Sequence, residues 1–157
     1  DYECELAVVL GRDARDVPAG QTRDYIFGYT ILNDVSARDV QTAHKQWYFG
    51  KSLDGFTPIG PCIVTADAFA DYPPRLGIRS FVNGEKRQDS NTALQIFDID
   101  HVIAELSQGM TLKAGTIIAT GTPAGVGMGM DPPQFLKPGD VVRCEIDGIG
   151  TLTNPVK

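Results

Sequence analysis

Turn-forming residues interrupt this chain at short intervals, and no other feature limits its possible folds as strongly. Seventeen glycines and ten prolines are spread along 157 residues, and between them stand short runs rich in Val, Ile, Thr and aromatic residues. Such runs, bounded by Gly, Pro, Asn and Asp, are typical of short β-strands. We therefore predict an α+β protein that is mainly β, with antiparallel or mixed strands. The order of elements differs from the regular βαβ alternation of a doubly wound sheet.

Two segments have the apolar spacing of helices, and the remaining apolar runs indicate strands. The helices are predicted within residues 36–47 and 97–110. Asn83-Gly84 is the pair preferred in two-residue hairpin turns, so a hairpin is predicted within residues 76–88. The other strands are predicted at residues 2–10, 25–32, 59–65, 115–120, 140–146 and 149–156.

The net charge and the length limit the class of protein. The chain is long enough for one domain with a buried core. Fourteen Lys and Arg stand against twenty Asp and Glu, giving a net charge of −6. This balance argues against a nucleic-acid or anionic-membrane partner, because phosphate binding requires clustered basic side chains. Apolar runs also fall well short of the ~20 residues of a membrane-spanning helix.

The cysteines indicate the cellular compartment, and the first residue indicates whether further sequence is expected. Cys4, Cys62 and Cys144 contain no CxxC pair, so neither a disulfide framework nor a thiolate zinc site is expected. This favours a reducing, cytoplasmic setting. Because the sequence starts at Asp1, without Met and inside a strand pattern, we expect further residues upstream.

Three carboxylates are candidate metal ligands. Glu3 and Glu5 stand two positions apart in a predicted strand, so both side chains project from the same face. Like charges this close raise each other's pKa or require a cation between them. Asp34 follows the strand at 25–32 and adds a third oxygen ligand if the two strand ends meet. The set suits Mg²⁺, Mn²⁺ or Ca²⁺; alternatively, the glutamates lie on a solvated face and Asp34 caps a helix.

Lys51, in the sequence "GKS", is a candidate for stabilising negative charge on a substrate. The segment is not a nucleotide-binding P-loop, because Lys45 stands where that pattern requires Gly. A lysine in a tight turn near a metal can instead fix a carbonyl or stabilise an enolate, although a solvated surface lysine is the simpler alternative. His44 and His101 lack a recognisable nucleophile partner, so a hydrolytic triad is not expected. His101 is expected to be structural, whereas His44 is expected near Asp34.

The Gly-rich segment 121–129 allows close approach of the backbone to a ligand. It lacks the dinucleotide fingerprint, because Met130 stands where the last Gly is required. Thr120 and Thr122 are candidates for donating hydroxyl groups to a substrate carboxylate. An irregular loop without a ligand is the alternative.

Several blocks of the sequence, in order, resemble the fumarylacetoacetate hydrolase family, in particular its small bacterial acylpyruvase-like and fumarylpyruvate hydrolase-like members. They are "DYECELAVV", "GYTILNDVSARDVQ", "QWYFGKSLDGFTPIGP", "VNGEKRQDSNT", "TGTPAGVG", "LKPGD" and "EIDGIGTLTNPV". The resemblance covers essentially the whole chain. It implies one catalytic domain over residues 1–157, a mixed β-sandwich roll and commonly a homodimer.

The resemblance also implies roles for individual residues. Three match the metal ligands of the family, usually for Mg²⁺ or Mn²⁺: Glu3, Glu5 and Asp34. The others match its catalytic and substrate-binding positions: Gln41, Lys51, Gly121 and Thr122. The His/Glu pair that activates water in smaller members is expected upstream of Asp1. Lys45 stands where fumarylacetoacetate hydrolase itself has a substrate-binding Tyr, which argues against fumarylacetoacetate as the substrate.

The implied activity is metal-dependent hydrolysis of a C–C bond in acylpyruvates or fumarylpyruvate-like 2-oxo acids, as in aromatic catabolism. The metal would bind the 2-oxo acid, water would attack the distal carbonyl, and Lys51 would help to stabilise the pyruvate enolate. The enolate step is shared with oxaloacetate decarboxylases, hydroxymuconate-type isomerases and lyases of the family, so these activities remain alternatives. A non-catalytic member, in which the metal only stabilises the fold, is a further alternative.

Overall fold

The computed structural model describes residues 1–43 and 45–157. Three α-helices lie in this part of the chain: α1 (Arg38–Ala43), α2 (Tyr48–Lys51) and α3 (Ile99–Leu106). The strands, in chain order, are β1 (Cys4–Leu10), β2 (Ile26–Asn33), β3 (Ile59–Thr65), β4 (Gly77–Val82), β5 (Glu85–Asn91), β6 (Ile117–Ala119), β7 (Val141–Ile146) and β8 (Gly150–Pro155). None of the helices in these residues has the length and hydropathy to cross a membrane.

Two four-stranded sheets pack face to face. Their strand orders are β3-β2-β1-β6 and β5-β4-β7-β8, and the strands pair antiparallel in both sheets. Contacts between β1 and β4, β2 and β7, and β3 and β8 join the two layers. The predicted fold class, α+β and mainly β, is confirmed.

The core lies between the sheets and takes every second side chain of β1. These side chains are Cys4, Leu6, Val8 and Leu10. They pack with residues of β4 and β7, namely Ile78, Val82, Val142, Cys144 and Ile146. Because side chains alternate along a strand, Glu5 projects from the opposite face of the first sheet. The apolar run of β1 therefore anchors the strand, while Glu5 faces away from the core.

Local sequence signals agree with the structure at the hairpin but not at the first predicted helix. Asn83 and Gly84 have φ angles of 51° and 86°, as the predicted tight turn requires. Of residues 36–47, predicted as one helix, the described ones contain only the short helix α1, and α2 does not begin until Tyr48. Lys45 has φ 54°, a left-handed conformation that cannot continue an α-helix.

Candidate metal centre

The three predicted carboxylate ligands lie together at one end of the β1–β2 pair. In this antiparallel register Cys4 lies opposite Asn33 and Glu5 opposite Leu32, so the beginning of β1 adjoins the end of β2. The N–H of Asp34 donates to the carbonyl of Glu3 at 2.8 Å. Glu3, Glu5 and Asp34 each offer a carboxylate oxygen within 4.8 Å of the other two. The two predicted strand ends therefore do meet, and the carboxylates converge.

Two cationic side chains contact this cluster without balancing its charge. The ammonium of Lys51 donates to Glu3 Oε2 at 2.8 Å and also contacts Asp34. Arg38 Nη2 lies 2.6 Å from Glu3 Oε1 and 2.9 Å from the carboxylate of Asp1. With all groups ionised, four carboxylates face these two cations and the α-amino group of Asp1, so one negative charge remains. An all-oxygen ligand set with this excess fits a hard divalent cation such as Mg²⁺ or Mn²⁺.

The surroundings of Glu5 make its ionisation unfavourable. It is 3% exposed, and burial raises its pKa to about 7, with the charges of Asp34 and Glu3 acting in the same direction. The N–H of Gly121, which donates to Glu5 Oε2 at 2.8 Å, and the ammonium of Lys51 partly oppose this increase in pKa. A neighbouring divalent cation would therefore keep this carboxylate ionised at neutral pH.

We expect the metal-free protein to become less stable as the pH rises from about 5 to about 8. The folded-state pKa of Glu5, about 7, lies above its unfolded value, so the folded state binds the extra proton in this range. The loss of unfolding free energy from this group is on the order of 2 kcal/mol. This loss of stability can be measured by thermal unfolding in EDTA at both pH values. Glu5→Gln is the control. An equal pH dependence in Glu5→Gln would contradict the assignment to Glu5.

Close packing of α1 against α2 places Lys51 beside the carboxylates. A Cβ on Gly50 would lie 2.7 Å from the backbone nitrogen of Gln41, so only glycine allows this approach. Arg38 Nη1 donates to Gln41 Oε1 at 3.0 Å, which leaves the amide nitrogen of Gln41 as the end available to donate to a ligand. Burial lowers the pKa of Lys51, but hydrogen bonds and charge interactions with Asp34 and Glu3 outweigh burial and raise it above its ordinary value.

Residues 120–122 run beside β1, and their polar groups bind it. The Thr120 hydroxyl donates to the carbonyl of Leu6 at 2.8 Å, and the Thr122 hydroxyl donates to the carbonyl of Cys4 at 3.0 Å. Both threonines were predicted to donate to a substrate carboxylate, but here these protons are used within the protein. The substrate-binding role of Thr122 and Gly121 stays a prediction.

Residues 120–122 also line a cavity of about 460 Å³. Its lining combines residues 120–124 with an apolar segment containing Leu94, Ile96 and Phe97. Glu3, Glu5 and Asp34 do not contribute to this lining. The cavity therefore neighbours the carboxylate cluster through Gly121 and Thr122, but it is a separate space.

Three further residues contact the site or the strand beside it, and the sequence did not predict this for any of them: Asp1, Arg38 and Gln88. Arg38 precedes Gln41 by three positions, a spacing that places two helical residues on the same face, so this partnership was detectable. Gln88 lies in the other sheet, and no local pattern connects it with Thr122. His44 lies outside the described residues. The ring of His101 stacks on that of Phe97, with centroids 4.7 Å apart, in keeping with a structural role.

Comparison with known proteins identifies the class to which this fold and carboxylate cluster belong. The family described as "Fumarylacetoacetate (FAA) hydrolase C-terminal" matches residues 1–157, and the chain belongs to this family. The sequence resemblance is thereby confirmed.

Named relatives include isomerising enzymes as well as a hydrolase. Oxaloacetate tautomerase YisK of Bacillus subtilis is 50% identical over 99% of this chain and 52% of its own length. The structure titled fumarylacetoacetate hydrolase from Exiguobacterium antarcticum has 52% identity and a TM-score of 0.96, covering 99% of this chain and 56% of that one. That of 5-carboxymethyl-2-hydroxymuconate delta-isomerase from Mycobacterium smegmatis has 47% identity and a TM-score of 0.87, covering 98% and 57%. The chain thus spans about half the length of these relatives.

Proposed function

We propose that this chain forms the metal-binding part of an enzyme that tautomerises or isomerises a 2-oxo dicarboxylic acid through an enolate. The observation that carries this proposal is the convergence of Glu3, Glu5 and Asp34 within 4.8 Å, beside the ammonium of Lys51. Such a site can bind the vicinal carboxylate and keto oxygens of a 2-oxo acid next to a hydrogen-bond donor. The names of the tautomerase and isomerase relatives support this activity more strongly than the hydrolysis predicted from the sequence.

Each residue then has a defined task. A divalent cation held by Glu3, Glu5 and Asp34 would supply Lewis-acid stabilisation of the enolate oxygen. Lys51 donates a hydrogen bond to the same developing charge. The amide nitrogen of Gln41 binds a substrate oxygen.

Hydrolysis of a C–C bond in an acylpyruvate is the second candidate. The similarity to the structure titled fumarylacetoacetate hydrolase, with a TM-score of 0.96, favours it. Both reactions pass through an enolate that needs the same cation and the same hydrogen-bond donor. They differ in the attack by water on the distal carbonyl, which only hydrolysis requires.

We expect the complete protein to lose at least about 99% of its activity in EDTA, because Lewis-acid stabilisation typically contributes several kcal/mol. Loss of enol oxaloacetate absorbance measures tautomerisation, pyruvate release measures decarboxylation, and loss of acylpyruvate absorbance measures hydrolysis. Readdition of Mg²⁺ or Mn²⁺ should restore activity. Metal without protein, and metal with Lys51→Met, control for catalysis by the free ion. Full activity in metal-free protein would reject the proposed function.

Which of the three assays responds decides among the alternatives. Tautomerisation without cleavage supports the main proposal, whereas acylpyruvate cleavage supports the second candidate. Pyruvate release from oxaloacetate supports a decarboxylase. The homodimer and the cytoplasmic location stay predictions, to be tested by sedimentation and by localisation of the complete protein.

A further inference from the structure

Gln88 is a buried carboxamide in the second sheet whose hydrogen bonds reach the strand that carries Glu3 and Glu5. The residue is 1% exposed. Its Oε1 accepts from the N–H of Cys4 at 3.1 Å, and its Nε2 donates to Thr122 Oγ1 at 2.7 Å and to the carbonyl of Pro123 at 2.8 Å. Both amide protons and the oxygen are therefore used, which fixes the orientation of the side chain.

These bonds form a closed ring at the residue between the two glutamates. Gln88 accepts from the N–H of Cys4 and donates to Thr122, and Thr122 donates to the carbonyl of Cys4 at 3.0 Å. In the β1–β6 pairing Ala7 lies opposite Ala119, and this pairing ends before Cys4 is reached. Side chains of Gln88 and Thr122 thus bind the backbone of β1 where the neighbouring strand has ended.

A second glutamine–threonine pair acts on the other side of Gly121. Gln95 Nε2 donates to Thr120 Oγ1 at 2.8 Å, and Thr120 donates to the carbonyl of Leu6 at 2.8 Å. Gly121, between the two threonines, donates its N–H to Glu5 Oε2. The position of this N–H relative to Glu5 is therefore set by hydrogen bonds on both sides.

We propose that Gln88 is a positioning residue for the metal centre. It holds the peptide of Cys4 and residues 120–123 in one arrangement, so that Glu3 and Glu5 keep the separation needed to share a cation and Glu5 keeps its contact with Gly121. The proposal rests on the proposed metal-dependent function. The order that Gln88 imposes on residues 120–123, however, is measurable without metal.

The test compares Gln88→Met, which keeps most of the side-chain length but none of its hydrogen bonds, with Thr22→Val in the complete protein. Thr22 is fully buried, its hydroxyl donates to Asp100 at 2.6 Å and contacts Tyr72, and it does not contact the metal centre. Both variants lose buried hydrogen bonds and should lower the unfolding temperature. Only Gln88→Met should weaken Mn²⁺ binding, by about tenfold or more, as loss of the groups that orient metal ligands typically does.

Hydrogen exchange gives a readout that does not require metal. The backbone amides of residues 120–122 should exchange faster in metal-free Gln88→Met than in Thr22→Val. Equal exchange and equal Mn²⁺ affinity in the two variants would overturn the proposal. If the wild-type protein binds no divalent cation, the proposed function fails, and the exchange comparison still decides whether Gln88 orders this segment. Thr122→Val, which removes only the hydroxyl from the ring, replaces Gln88→Met if that variant does not fold.

Discussion

Glu5→Gln should lower the affinity for Mn²⁺ by at least about 100-fold, more than loss of a group that only orients a ligand. In metal-free protein at about pH 8, the same change should increase stability, on the order of 2 kcal/mol. The reason is that Glu5 is buried with a pKa of about 7, so its ionised form is unfavourable without a cation. The neutral carboxamide removes this penalty and still accepts the N–H of Gly121.

Calorimetric titration with Mn²⁺ and thermal unfolding in EDTA measure the two effects of Glu5→Gln. Glu105→Gln, at an exposed position of α3, is the matched control and should change neither quantity. The combination of higher metal-free stability with lost metal binding separates a ligand from a structural carboxylate. Unchanged Mn²⁺ affinity would remove Glu5 from the ligand set.

Lys51→Met should lower kcat by about 100- to 1000-fold, the range observed when a donor to a developing oxyanion is removed, with a smaller change in KM. The variant keeps most of the apolar stem and loses the charge. Because the ammonium also contacts Glu3 and Asp34, its removal frees one oxygen of each carboxylate, while Glu3 keeps its contact with Arg38. Mn²⁺ should therefore bind at least as tightly as in the wild type, while activity is lost.

Steady-state kinetics at saturating Mn²⁺, together with the dissociation constant of the metal, test the role of Lys51. Lys113→Met is the matched control, because Lys113 is exposed and contacts only Asp13 among the described ion pairs. An unchanged kcat would exclude the assigned role. A fall in activity explained entirely by weaker metal binding would instead make Lys51 a support for the ligands.

The fold and the carboxylate cluster were predictable because their determinants are local. The alternation of β1, the turn at Asn83-Gly84 and the two-residue spacing of Glu3 and Glu5 can each be read from a few neighbouring residues. Asp34 was predicted to join them because it ends a strand, and the antiparallel register of β1 and β2 confirms that the two strand ends meet.

The missed features depend on residues distant in sequence. Gln88 reaches Cys4 across 84 positions and Thr122 across 34, through the packing of two sheets that no short pattern specifies. The sequence does not reveal which backbone groups of β1 remain unpaired, so it could not show that the hydroxyls of Thr120 and Thr122 donate to the carbonyls of Leu6 and Cys4. The helix at 36–47 was predicted too long because Lys45, not a Gly or Pro, carries the left-handed φ of 54°.

The contact of Lys51 with Glu3 and Asp34 affects whether the chain can fold before it binds a metal ion. Many small metal sites leave the chain unfolded until the ion arrives, because their ligands repel or lack partners without it. Here an internal ammonium already neutralises part of the cluster, so folding need not wait for the ion. Metal loading can then follow chain folding, and it can respond to the free concentration of Mg²⁺ or Mn²⁺ around the finished protein.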